Sequence, residues 1–209
     1  MRTVYFDNAS TSPLFPEVAA ETYRLSKEIY GNPSSLHAEG KRARALIDNA
    51  RNVFAKNLGC NAEDVFFTSC GSESNTWAIF GAADLMRAKG KTQIVVSNIE
   101  HASVTEAAKA SGLEVVFAKV GSDGTVPVSE IERTVNEKTA LVSVMYANNE
   151  TGVIQPVKAI AKLCRERGVL FHTDAVQAAG HINIDLESIG RIWRLYRRTS
   201  SADPKEQAR

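Results

Sequence analysis

Polar residues suited to chemistry follow four short apolar runs of the chain, directly where each run ends. The runs cover residues 65–68, 94–97, 141–145 and 169–171. The residues that follow them are Gly71 and Ser72, then His101, then Asn149, and finally Asp174 with Gln177. Ligands of open parallel sheets bind outside the carboxyl ends of the strands. We therefore expect these residues to meet at one site.

Gly71 and Ser72 lie in a small turn, rich in Ser and Gly, that precedes a predicted helix. Free backbone N–H groups and the positive end of a helix dipole bind anions, and phosphate is the obvious ligand. An ordinary helix cap by Ser72, with Glu73 in the first turn, explains the same residues. This turn alone favours the helix cap over the phosphate site.

His101 and Asn149 are weaker signals when each is taken alone. A histidine at a strand end can stack on a flat ring or move protons, but a lone histidine is more often structural. The pair Asn148-Asn149 before Gly152 is also ordinary turn chemistry. They indicate a binding site only because both follow strands that belong to the same predicted sheet.

Asp174, with Gln177 three residues later, is the most informative pair. A buried carboxylate needs a partner, and the ring nitrogen of pyridoxal 5'-phosphate (PLP) is a suitable one. A carboxylate there keeps the ring protonated and electron-withdrawing. An aspartate that caps a helix is the alternative. Together, an anion-binding turn, a histidine, an asparagine and an Asp/Gln pair form a set suited to PLP.

The elements that must position these residues alternate between strands and helices. Near-continuous apolar runs predict strands buried on both faces at residues 65–68, 94–97, 114–118, 141–145 and 169–173. An apolar stripe predicts a helix over residues 39–58. A capping box, Ser129 to Glu132, predicts the start of another helix, and a third runs from Pro156 to Arg167 before Gly168. This alternation indicates an α/β fold with a mainly parallel sheet covered by helices.

Composition bounds the class of protein. The chain has 209 residues, 44% of them hydrophobic, and a formal net charge of +1, which suits one soluble α/β domain and gives no electrostatic case for nucleic acid. Its three cysteines, Cys60, Cys70 and Cys164, form no C-x-x-C pair. We expect no disulfide framework and no metal site, and a reducing cytoplasm fits best. No signal peptide and no membrane-spanning run are recognisable.

The charge is concentrated at one end of the chain. Residues 191–209 carry six basic and two acidic residues, a net charge of +4, so the other residues together carry −3. So abrupt a shift in composition marks residues 191–209 as a segment of different character.

Six spaced stretches resemble the cysteine desulfurases of the class-V aminotransferase-like group. They are Tyr5-Phe6-Asp7-Asn8-Ala9-Ser10-Thr11, Tyr30-Gly31-Asn32-Pro33-Ser34-Ser35 with His37, Phe67-Thr68-Ser69-Cys70-Gly71-Ser72-Glu73-Ser74-Asn75, Glu100-His101, Ala147-Asn148-Asn149-Glu150-Thr151-Gly152 and His172-Thr173-Asp174-Ala175-Val176-Gln177. The resemblance runs from the start of the chain to about Gly190. The spaced set is far more specific than any one member.

The resemblance implies the large domain of a fold-type I PLP-dependent transferase, with a sheet of the seven-stranded type, here incomplete. Residues 1–15 would be an N-terminal segment on the small-domain side, and residues 16–190 a partial PLP-binding domain. Cys70 would be a small packing residue. The implied roles are phosphate binding by Gly71 and Ser72, ring stacking and proton transfer by His101, cofactor and substrate contact by Asn149, and contact with the ring nitrogen by Asp174 and with the ring hydroxyl by Gln177.

The resemblance also implies an activity, namely the conversion of L-cysteine to L-alanine. The sulfur would pass to a cysteine on a later loop as an enzyme-bound persulfide, for iron–sulfur cluster or thiolation pathways. PLP would be the cofactor, a sulfur-acceptor protein the partner, and a homodimer the assembly of an intact enzyme. A selenocysteine lyase or another class-V enzyme is an alternative, as is a non-catalytic partner or regulator of an intact desulfurase.

The chain departs from the family pattern after Gly190. The family continues to a Ser-Ala-His-Lys segment whose lysine holds PLP covalently, whereas this chain continues with the basic residues 191–209. Codons exist for residues 191–208 that, read two bases later, encode Asp-Met-Ala-Ser-Ile-Ser-Ala-His-Lys-Phe-Gly-Gly-Pro-Lys-Gly-Thr-Gly. We therefore predict a reading-frame shift near Gly190 and a chain that is inactive as written. A functional basic tail that binds a membrane surface or an acidic partner is the alternative.

Overall fold

The computed structural model describes residues 4–8 and 10–189, together with the backbone of residues 193–195. Helices and strands alternate from residue 71 onward, as predicted. In chain order the elements are α1 (Pro16–Glu28), α2 (Ala38–Leu58), a 3-10 turn (Ala62–Asp64), α3 (Gly71–Arg87), β1 (Gln93–Ser97), α4 (Ala102–Ala110), β2 (Glu114–Ala118), α5 (Val128–Thr134), β3 (Thr139–Ser143), α6 (Val157–Glu166), β4 (Leu170–Asp174), α7 (Leu186–Ile189) and β5 (Trp193–Leu195).

The five strands form one sheet in the order β2-β1-β3-β4-β5, and every pairing between them is parallel. Every residue of β1 and of β3 is buried, as expected for central strands covered on both faces. Ile94 and Val96 belong to a core cluster with residues of α3 and α4. Alanines on these two helices, such as Ala82 and Ala107, let the backbones approach the sheet closely.

Four of the five predicted strands are confirmed, although β3 begins and ends two residues earlier than expected. The strand predicted at residues 65–68 is wrong, because these residues pair with no strand in the part of the chain that the structure describes. Phe66 and Phe67 are 66% and 49% exposed instead of buried. The described sheet has five strands, in keeping with the expected incomplete sheet of the seven-stranded type. One of them, β5, lies in the predicted basic tail, of which only the backbone of residues 193–195 is described.

The chain divides into two compact units. Within the described residues, the first contains residues 4–67 and 184–187, and the second contains residues 68–183 and 188–195. The domain boundaries expected at residues 15 and 190 stay predictions.

In the first unit, the motif Gly31 to His37 starts helix α2. His37 is the N-cap, and its Nδ1 accepts a hydrogen bond from the backbone N–H of Gly40 at 3.3 Å. A Cβ atom on Gly31 would lie 2.4 Å from the carbonyl carbon of Glu39, and one on Gly40 would lie 2.3 Å from the carbonyl oxygen of Ser35. Both positions therefore need glycine, because the loop runs directly against the first turn of α2.

The observed bounds of helices α2 and α6 lie close to the predicted ones, whereas the start of α5 differs from the prediction. Helix α2 begins one residue before the predicted start and ends at Leu58, as predicted. Its C-cap is Gly59, whose φ of 66° is left-handed. The capping-box prediction is wrong, because α5 begins after Pro127 and contains Ser129 within its first turn. Helix α6 has Pro156 as its N-cap and ends at Glu166, close to the predicted range.

Candidate active site

The candidate site is centred on Asp174, at the carboxyl end of β4. Its side chain is buried, with only 6% of the residue exposed. The Oδ2 atom accepts a hydrogen bond from Nδ2 of Asn75 at 2.9 Å, and Oδ1 accepts one from the backbone N–H of Val176 at 2.9 Å. Asn75 lies on the buried face of α3, so this contact ties the strand end to a helix that begins at the predicted anion-binding turn.

A hydrogen-bonded chain continues from Asp174 to His101. The same Nδ2 atom of Asn75 donates to Oγ of Ser103 at 2.8 Å, and this Oγ lies 2.8 Å from Nδ1 of His101. His101 is the N-cap of α4, and its Nδ1 also accepts the backbone N–H of Ser103 at 3.1 Å. Because Nδ1 accepts this backbone N–H, Nε2 is the ring nitrogen that remains to carry a hydrogen atom. The exposed imidazole is therefore linked to the buried Asp174 through Ser103 and Asn75.

Gly71 and Ser72 occupy the first turn of α3, where they were expected. Glu73 turns back toward Ser69, and its Oε2 accepts both the backbone N–H and the hydroxyl of Ser69 at 2.6 Å. These hydrogen bonds hold the turn and lower the pKa of Glu73. The helix cap expected from Ser72 is wrong, because Cys70 is the N-cap and Ser72 lies within the helix. The Glu73 carboxylate accepts the N–H of Ser69 and not those of Gly71 and Ser72.

Cys70 is the N-cap of α3, and it is exposed. The expectation that it is a small packing residue is therefore wrong. The backbone N–H of Glu73, the hydroxyl of Ser69 and the N–H of Ser72 lower the pKa of its thiol, since all three stabilise the thiolate. The thiol thus faces the same helix end that was expected to bind phosphate.

Asn148, not Asn149, organises the segment after β3. Asn148 is 8% exposed, and its Oδ1 accepts the backbone N–H groups of Glu150 and Thr151 at 3.0 and 2.9 Å. Its Nδ2 donates to the carbonyl of Ile99 at 3.2 Å, which links this segment to the turn that carries His101. Asn149 is half-buried, and its Nδ2 donates to Oε1 of Glu150. The expected cofactor contact of Asn149 stays a prediction.

Glu100, directly before His101, is a second acid near Asp174. Its Oε1 accepts the hydroxyl of Ser97 and the backbone N–H of Met145, both at 2.6 Å. Its Oε2 is buried and has no hydrogen-bond partner among the described residues. Burial raises the pKa of Glu100 to about 7, the two hydrogen bonds oppose this increase, and the Asp174 carboxylate adds to it.

His172 lies two residues before Asp174, on the same face of β4. It is fully buried, and its Nδ1 lies 2.8 Å from Oγ of Ser143 on the neighbouring strand. Burial lowers the pKa of His172 below its ordinary value, although the Asp174 carboxylate opposes this effect. The imidazole is therefore neutral at pH 7, and it packs in the interior on the same face of β4 as Asp174.

The structure thus brings Asp174, His101 and the start of α3 together through Asn75 and Ser103. Gln177 is half-buried in the turn after β4, three residues from Asp174. The sequence analysis assigned no role to Asn75, Ser103 or Glu100. A polar residue on the buried stripe of a predicted helix was a usable signal for Asn75, and the strand-end position was one for Glu100. The cofactor roles of the six predicted residues stay predictions.

The chemistry of these residues fits PLP. A carboxylate has about four lone-pair sites, so Asp174 retains room for a ring N–H after accepting from Asn75 and Val176. Oδ1 of Asn75 is buried and has no hydrogen-bond partner among the described residues. This buried polar atom, next to Asp174, is therefore available to a ligand. The first turn of α3 supplies amide donors for a phosphate one helical turn before Asn75. No lysine is among these site residues.

No group of three or more His, Cys, Asp or Glu residues able to hold a metal ion occurs within the described part of the chain. In the same part, none of the helices is long and apolar enough to cross a membrane.

The chain is similar in sequence to one known family. The chain matches the family described as Aminotransferase class-V over residues 4–191. It is 39% identical over 192 residues to a cysteine desulfurase IscS of Dictyoglomus turgidum, covering 90% of this chain and 48% of that protein. The chain thus spans about half the length of the curated relatives it matches.

Solved structures share the fold. A NifS-like protein superposes with a TM-score of 0.90 at 37% identity, covering 96% of this chain and 56% of the other. The structure described as SspA in complex with cysteine superposes with a TM-score of 0.89 at 29% identity, covering 97% and 59% of the two chains. The chain therefore belongs to the aminotransferase class-V family, and the relatives that it resembles within that family are cysteine desulfurases.

Proposed function

We propose that this chain is the PLP-binding part of a cysteine desulfurase. The observation that carries the proposal is the hydrogen-bonded chain from Asp174 through Asn75 and Ser103 to His101. It holds a buried carboxylate and an exposed imidazole at one place, beside a helix start suited to phosphate. This combination serves a flat, phosphorylated, basic ring better than it serves any ligand without a ring nitrogen.

Each residue has a stated task in this proposal. Asp174 keeps a proton on the ring nitrogen, and the N–H groups of Gly71 and Ser72 bind the phosphate. His101 covers one face of the ring and moves a proton at its imidazole, while Asn149 and Gln177 contact the cofactor and its hydroxyl. When bound, PLP supplies an electron sink that weakens bonds to the substrate's α-carbon.

The proposed substrate is L-cysteine, and the proposed products are L-alanine and sulfur carried as a persulfide. The names of the curated relatives and the cysteine complex of one structural neighbour support this choice. A sulfur-acceptor protein, a homodimer and an iron–sulfur cluster or thiolation pathway complete the proposal. The three free cysteines are consistent with its expected place, a reducing cytoplasm.

Titration of the purified chain with PLP tests the proposal. We expect saturable, non-covalent binding of PLP, measured by equilibrium dialysis. Asp174→Asn should bind PLP at least about tenfold more weakly, because its neutral amide cannot form an ion pair with a charged ring nitrogen. Asp84→Asn, on the exposed side of α3, is the matched control and should bind as the parent does. Absence of binding, or equal binding by the parent and Asp174→Asn, would refute the PLP site.

A non-catalytic partner of an intact desulfurase is the second candidate. It is favoured by one observation, the absence of the family's Ser-Ala-His-Lys segment from the sequence. Co-expression with a complete desulfurase distinguishes the two. Stable co-purification without any effect of Asp174→Asn would favour the partner role, because that role does not need the ring-nitrogen contact.

A further inference from the structure

Glu100 connects two segments that the candidate site needs side by side. One is the turn at residues 98–101, which ends in His101. The other begins at Met145 and contains Asn148 and Asn149. The carboxyl group of Glu100 reaches across from the first segment and accepts the backbone N–H of Met145 at 2.6 Å. This contact joins residues that are 45 positions apart in the chain.

A second hydrogen bond joins the same two segments. Nδ2 of Asn148 donates to the carbonyl of Ile99 at 3.2 Å, next to Glu100. In both contacts the Met145 segment donates and the turn accepts. The first joins a backbone amide to a side-chain carboxyl group, and the second joins a side-chain amide to a backbone carbonyl. Two such bonds fix both the separation and the rotation of the segments, which a single bond does not.

The surroundings of Glu100 favour a neutral carboxylic acid over a carboxylate. Oε1 accepts two hydrogen bonds, from Ser97 and Met145, but the buried Oε2 has no partner among the described residues. A buried carboxylate oxygen without a donor is costly. Asp174, at the end of β4, is the charged group that faces it, and it repels a second negative charge.

We propose that Glu100 is a positioning residue of the candidate site, whose carboxyl group holds the His101 turn against the Met145 segment. Its observed hydrogen-bond partners are Ser97 and Met145. Through its contact with Met145, Glu100 determines where His101 and Asn149 stand relative to Asp174. The expected effect of Glu100 on PLP affinity rests on the proposed function. The hydrogen bond between Glu100 and Met145 does not depend on PLP.

Amide hydrogen exchange tests the hydrogen bond between Glu100 and Met145 without any ligand. We expect Glu100→Ala to raise the exchange rate of the Met145 amide about tenfold, which is the effect of losing one hydrogen bond of ordinary strength. Glu100→Gln should keep the parent rate, because its amide oxygen still accepts the bond and it carries no charge. The amides of Val144 and Tyr146 donate to the carbonyls of His172 and Asp174, and they serve as internal controls.

PLP affinity is the second readout. At equal folded fraction, Glu100→Ala should bind PLP at least about tenfold more weakly, whereas Glu100→Gln and the exposed control Glu106→Gln should match the parent. Unchanged Met145 exchange in Glu100→Ala, or a Glu100→Gln variant that behaves like Glu100→Ala, would overturn the inference. If no variant binds PLP, the proposed function fails, and the Met145 exchange rate still decides the role of Glu100.

Discussion

At the scale of single residues, the site depends on side chains that share hydrogen-bond partners. One nitrogen atom of Asn75 donates to both Asp174 and Ser103. A single amide therefore holds the buried acid and, through Ser103, the exposed His101. A residue with two such contacts should be sensitive to substitution in a way that its position in a helix does not indicate.

We expect Asn75→Ala to lower the free energy of unfolding by about 1–3 kcal/mol, because the buried Asp174 loses a donor that no water replaces. Urea denaturation measures the effect. Asn57→Ala, at an exposed position of α2, is the control and should change stability by no more than about 0.5 kcal/mol. Equal stabilities of the two variants would contradict the assigned role of Asn75.

Glu100 makes stability depend on pH in a direction that follows from its raised pKa. Between its ordinary value, 4.5, and about 7, the folded chain holds a proton that the unfolded chain has lost. The contribution of Glu100 to stability is therefore present below pH 4.5 and decreases as pH rises to about 7, by about 3 kcal/mol in total. His172 has the opposite sign, because its lowered pKa makes stability rise as pH increases toward 6.5.

The difference between Glu100→Gln and the parent isolates the first of these effects. We expect the variant to gain stability relative to the parent as pH rises from 4.5 to 7, and to keep that gain at pH 8. Urea unfolding at a series of pH values measures it, with Glu106→Gln as the exposed control. A stability difference that is constant across this range would show that the pKa of Glu100 is the same in the folded and the unfolded chain.

At the scale of elements, two glycines within helices have opposite surroundings. Gly40, in the first turn of α2, leaves no room for a Cβ atom, because the carbonyl oxygen of Ser35 would lie 2.3 Å away. Gly81, in the middle of α3, has no atom within 4 Å of such a Cβ. The same substitution should therefore have opposite effects at the two positions.

We expect Gly81→Ala to raise the free energy of unfolding by about 0.5–1 kcal/mol, since alanine loses less backbone entropy in a helix. Gly40→Ala should lower it by about 1–3 kcal/mol, because the loop before α2 must move. Urea denaturation of the two variants provides the comparison, and each serves as the other's control. A stabilising Gly40→Ala would mean that the loop is not held against α2.

At the scale of the whole molecule, exposed apolar side chains stand out in both units. Phe6 is 92% exposed and Leu36 is 87% exposed in the first unit, and Trp77 is 59% exposed in the second. Because exposed large apolar side chains favour association, we expect the purified chain to form larger species as its concentration rises. Light scattering after size-exclusion chromatography measures this, and a monomer that unfolds cooperatively at all concentrations would contradict it.

Residues 191–209 contain no Ser-Ala-His-Lys segment. We propose that they are read in a shifted frame, so that the lost lysine codon straddles Thr199 and Ser200. Sequencing of the gene beyond Gly190 should show Ser-Ala-His-Lys in another frame, and its absence from every frame would refute the idea. The present chain should gain no mass after incubation with PLP and borohydride, whereas a frame-restored chain should gain one cofactor.

The sequence by itself determined the family, the positions along the chain of four of the five strands, and the placement of Asp174 and His101 after strand ends. Hydrophobic runs and family motifs are local, so they can be read from neighbouring residues. They did not exclude a strand at residues 65–68, because β structure also needs a partner to pair with, and the local run contains no information about one.

Only the tertiary structure decided which side chains meet at those strand ends. Asn75 and Asp174 are 99 residues apart, and Glu100 and Met145 are 45 apart, yet both pairs form hydrogen bonds. Such contacts depend on strand register and on how closely α3 approaches the sheet. They also depend on burial, because Asp174 and Glu100 are drawn into hydrogen bonds by the loss of water around them. None of these quantities is a property of a short stretch of sequence, which is why Asn75, Ser103 and Glu100 emerged only from the fold.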